Sequence, residues 1–83
     1  MNDPEHRRIS FLLIDLDLAN TFLDVATTIG SHEAMERNIA NARKAHDAIE
    51  HLAGKLGLND SELTTIVNGL RALRKRLAEM KAP

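Results

Sequence analysis

Apolar residues return every three or four positions through three long blocks of this chain, and short polar breaks containing glycine separate the blocks. The spacing predicts helices over about 4–29, 32–56 and 60–81. Each start and stop has its own chemistry. Asp3-Pro4-Glu5 places a capping acid, a proline at the first helical position and an acid at the positive end of the dipole. Gly30 stops that helix, and Ser31 caps the next one immediately. Gly54 falls within the last turns of the second helix and Gly57 ends it. Asn59 then stands three residues before Glu62, the capping-box spacing, with Leu58 placed to staple onto Leu63. Connections this short turn each helix back on the one before. The expected fold is all-α, a three-helix antiparallel up-down-up bundle in a single helical domain over 1–83.

At about 100° per residue, the first helix carries an unusually wide apolar arc. Phe11, Ile14, Leu18, Phe22, Val25 and Ile29 form one stripe, and Leu12, Leu16, Ala19, Leu23 and Ala26 form another beside it. Two stripes call for two partners, so this helix should touch both others. The second helix is richer in alanine, with Ala34, Ala42, Ala45, Ile49, Leu52 and Leu56 as its inner face. Small residues there let backbones approach closely. Leu63, Ile66, Leu70, Leu73, Leu77 and Met80 make a plain seam on the third helix.

Composition narrows the function. Eleven basic against twelve acidic residues give a net charge of −1. Duplex binding draws most of its affinity from a basic excess, so the balance argues against nucleic acid as a partner. Phe11 and Phe22 are the only aromatics, which leaves no tryptophan or tyrosine to stack on bases. There is no cysteine, hence no disulfide, thiolate nucleophile or cysteine-based zinc site. No apolar run approaches the length of a membrane span, and a cytoplasmic protein without a signal peptide is the expectation.

Few polar residues sit where chemistry would need them. Asp15 interrupts the apolar arc of the first helix. A hairpin turning at Gly30–Ser31 pairs residues whose numbers sum to about 61, which sets Asp15 opposite His46, on the rim of the second helix. A structural polar pair Asp15–His46 is expected, fixing hairpin register. Its functional counterpart is an acid-oriented imidazole serving as base, phospho-acceptor or ligand. Asn38 points into the apolar face of the second helix and reads as a buried amide. The histidines His6, His32, His46 and His51 contain no helical i, i+4 pair, and no metal site is expected. No phosphate loop or serine nucleophile motif occurs, so neither catalytic residues nor a cofactor are expected. Arg71, Arg74, Lys75 and Arg76 gather charge at one end of the third helix, a candidate partner-binding basic end as well as a complement to the dipole.

The stretch 18–26, Leu-Ala-Asn-Thr-Phe-Leu-Asp-Val-Ala, with 37–49, Arg-Asn-Ile-Ala-Asn-Ala-Arg-Lys-Ala-His-Asp-Ala-Ile, resembles a group of small bacterial helical proteins that carry no assigned function. More loosely it is similar to a tetratricopeptide-type hairpin. These helices are about twice as long, the Trp and Tyr markers are absent and there is one hairpin, so the resemblance implies no peptide groove. Histidine phosphotransfer domains are similar in being helical with an exposed histidine, but Asp47-Ala48-Ile49 follows His46 where their Lys-Gly pair would stand. The expected function is a non-enzymatic protein-interaction or scaffold module, self-associating, with a homodimer or another protein as its partner and no small-molecule substrate. The alternative is a histidine-phosphotransfer-type regulatory module using His46.

Overall fold

In the computed structural model, residues 4–28 and 30–81 are described, with side-chain surroundings for 9–28 and 30–80. Three helices follow one another: α1 over Pro4–Thr28, α2 over His32–Ala53 and α3 over Asp60–Lys81. Asp3 and Ile29, assigned above to the first cap and the first stripe, lie outside the described residues. Each helix packs against both others, with α1 and α2 the most intimate pair. The bundle is elongated, 43 × 23 × 16 Å, its long axis set by helices of 22–25 residues.

The caps form as their residues dictate. Ser31 has an extended backbone (φ −91°, ψ 126°), and its hydroxyl accepts from the Ala34 N–H at 3.3 Å. Asn59 and Glu62 close a reciprocal box: Glu62 N–H donates to Asn59 Oδ1 at 2.8 Å, and Asn59 N–H donates to Glu62 Oε1 at 3.1 Å. α2 stops at Ala53, earlier than the spacing predicts. Gly54 costs a helix about 1 kcal/mol relative to alanine. The chain tightens there, with Lys55 N–H donating to Leu52 O at 2.9 Å. Gly57 then takes the left-handed conformation at φ +65°, which turns the chain toward α3.

The core runs along the bundle. Leu12, Leu16, Ala19, Leu23 and Ala26 of α1 meet Ile39, Ala42, Ile49 and Ala53 of α2 and Ile66, Leu70, Leu73 and Leu77 of α3. The α3 seam forms at its centre, with Met80 half-buried and Leu63 exposed at its ends. Ala34, Ala45, Leu52 and Leu56, expected on the inner face of α2, are half-buried instead. Their places in the core go to Ile39, His46 and Ala53.

One expectation is overturned. The second α1 stripe is buried, but the first stays at the surface: Phe11 is 58%, Ile14 64%, Leu18 49% and Val25 39% exposed, and only Phe22 is half-buried. The reason is angular. Two neighbours in a triangular bundle both lie to one side of α1, while its two stripes are centred about 120° apart around the axis. Two partners cover one stripe and leave the other facing outward.

Candidate functional site

His46 is the buried polar residue of the core, 6% exposed. It does not pair with Asp15. Its Nδ1 lies 3.0 Å from Asp47 Oδ1, its own chain neighbour, and its Nε2 is buried without a hydrogen-bond partner. Asp47 follows His46 directly in the chain, and its exposed carboxylate reaches back to the ring. Asp15 is half-buried and makes no hydrogen bond or ion pair among the described residues. Phosphoryl transfer needs an imidazole nitrogen presented to solvent and an incoming donor, and this burial works against that role for His46.

Asn38 is half-buried, not fully buried. Its Nδ2 donates to Ala34 O at 2.8 Å within its own helix. That bond satisfies the amide locally and bridges no two helices.

The basic end of α3 is partly spent inside the bundle. Arg74 pairs with Glu50 of α2 at 3.1 Å. Arg76 reaches α1, donating from NH1 to Asn20 Oδ1 at 2.9 Å and from NH2 to Asp24 Oδ1 at 2.8 Å. Arg71 and Lys75 are exposed and make no ion pair among the described residues. Of the four cations, two are thus engaged within the bundle and two face outward.

His46, Asp47 and Glu50 bring donor atoms within 4.8 Å of one another. Each is already engaged: Asp47 holds His46 Nδ1, and Glu50 holds the Arg74 guanidinium. The second ring nitrogen, Nε2, is buried without a hydrogen-bond partner. A cation there would compete with Arg74 for Glu50 and gain no third free ligand.

What remains is surface shape. The α1 stripe of Phe11, Ile14, Leu18 and Val25 is contiguous at helical spacing. It stands beside a half-buried row of small residues on α2, Ala34, Asn41 and Ala45, with exposed Ala48. Hydroxyls along the margin of α1 are turned back on their own backbone: Thr21 donates to Asp17 O at 2.9 Å and Thr28 to Val25 O at 3.1 Å. Covering this face therefore strands few donors. A smaller apolar groove of about 260 Å³ lies between the end of α2 and the start of α3, lined by Ala53, Leu63, Val67 and Leu70 under Glu50, Arg71 and Arg74.

No helix among the described residues is long and apolar enough to cross a membrane. Compared with known proteins, the chain matches no family model, no curated sequence and no solved structure.

Proposed function

We propose that this chain is a non-enzymatic protein-interaction or scaffold module that works by self-association through the outer face of α1. The observation that carries the reading is the exposed stripe of Phe11, Ile14, Leu18 and Val25. At roughly 150–200 Å² for a fully exposed side chain of this size, the stripe presents on the order of 350 Å² of apolar surface. On a bundle this small, a contiguous patch of that size marks an interaction surface. Burying one such side chain fully is worth about 1.5–3 kcal/mol, so a few suffice to hold a partner. The polar groups offer no competing chemistry, because the acids and bases near His46 and on α3 mostly satisfy one another.

Light scattering during gel filtration tests the reading. The wild-type chain should gain mass with concentration through the micromolar range. Leu18→Glu should remain a monomer with unchanged helical circular dichroism, since Leu18 lies outside the core. A wild-type chain that stays strictly monomeric at high micromolar concentration would overturn it.

A further inference from the structure

Resting on that reading, we infer that the occupant of the α1 face is the α2 face of a second copy, in an isologous dimer whose two-fold axis runs along the bundle.

The first support is shape. The outer side of the α1–α2 pair is half ridge and half shelf. Phe11, Ile14, Leu18 and Val25 stand up from α1, while Ala34, Asn41, Ala45 and Ala48 lie low on α2. Rotation about an axis parallel to the helices sets the ridge of each copy on the shelf of the other. Every neighbouring pair in the resulting four-helix layer is then antiparallel. Rotation about the perpendicular axis would put ridge on ridge and shelf on shelf.

The second support is charge. At 100° per residue, Asp17 and Asp24 fall on the margin of α1 away from α2, whereas Arg37 and Lys44 fall on the margin of α2 away from α1. The lengthwise axis brings the acidic margin of one copy beside the basic margin of the other. Heights match as well. α1 ends at Thr28 and α2 begins at His32, so residues whose numbers sum to about 61 stand level. Asp17 is then level with the partner's Lys44, and Asp24 with the partner's Arg37. Asp17 and Lys44 are both exposed and make no ion pair among the described residues. Asp24 already holds Arg76, and its side chain is still 69% exposed. The perpendicular axis would instead set Asp17 near Asp17 of the other copy. Exposed pairs add little affinity, but they select between arrangements.

The third support is area. About 350 Å² of apolar surface, at the roughly 57–65% apolar share of an ordinary interface, corresponds to about 540–610 Å² per copy, near the lower end of stable interfaces at about 600 Å² per partner.

The chain lacks cysteine, so single thiols can be placed cleanly. Asp17→Cys and Lys44→Cys chains are prepared separately, mixed, and treated with a short bismaleimide, with mass read on a denaturing gel. The expected result is a cross-linked dimer in the mixture and little in either variant alone. In addition, Asp17→Lys and Lys44→Glu should each weaken the dimer several-fold, and the double variant should restore it. Cross-linking of Asp17→Cys to itself, or tightening by Asp17→Lys, would overturn this arrangement. So would a wild-type dimer that Leu18→Glu abolishes but that gives no mixed product, and in that case the self-association reading stands. A monomeric wild-type chain would overturn both.

Discussion

Gly69 of α3 lies against Leu16 of α1 so closely that a β-carbon at position 69 would sit 2.7 Å from Leu16 Cδ1. The missing side chain is what lets α3 settle onto α1 at mid-height. Two effects oppose each other on substitution. Alanine gains about 1 kcal/mol of helix propensity over glycine, while the Leu16 methyl must turn aside in a packed core. Gly69→Ala should therefore fall within about 1 kcal/mol of wild type in a thermal melt. Gly69→Leu, which no rotation of Leu16 accommodates, should lose about 1–3 kcal/mol.

Arg76 joins α3 to α1 through two partners, Asn20 and Asp24. Its side chain is 36% exposed, which puts the clasp between a surface pair and a buried one. Arg76→Ala should cost about 1 kcal/mol in chemical denaturation. Arg76→Lys should recover less than half of that, because a single ammonium cannot span both acceptors in a fixed fork. Full recovery would show that charge alone carries the contact.

Ala42 is fully buried where α1 and α2 press together, whereas Ala45 is half-buried toward the outer face. Ala42→Leu should destabilise by about 1–3 kcal/mol through overpacking. Ala45→Leu should cost clearly less. Equal losses in urea titrations would mean the two positions share one environment.

The orphaned Nε2 of His46 is a cost the fold carries. Replacing an unsatisfied buried polar group by an apolar one of similar volume removes a desolvation penalty of about 1–3 kcal/mol. His46→Leu should therefore raise the melting temperature, by about 4–8 °C for each kcal/mol gained in a domain of this size. A lowered melting temperature would show that Nε2 has a partner in solution.

These residues also show what the sequence made legible. The caps at Ser31 and Asn59 and the centre of the α3 seam follow from local chemistry, and they form as read, whereas the stop assigned to Gly57 comes earlier, at Gly54. The α1 arc was visible, but which stripe the bundle covers depends on where α2 and α3 stand, and spacing along one helix does not encode that. Opposition of Asp15 and His46 followed from hairpin height, yet the imidazole turns to Asp47 because side-chain rotation, not height, sets its partner. Arg76 reads from the sequence as part of a basic end, and its clasp on Asn20 and Asp24 is not legible there because a long side chain reaches across helices from the half-buried margin. Gly69 did carry a signal: a glycine inside a strong helical pattern marks a close approach.

The short links between helices have a kinetic consequence. Three residues join α1 to α2 and six join α2 to α3, so neighbouring helices meet with little loop to close. Only the α1–α3 contacts, those of Gly69 and Arg76 among them, span more than fifty positions. Such a chain gains most of its native order from nearby pairings and belongs among the fast-folding helical topologies, with the docking of α3 on α1 the step that closes the longest loop.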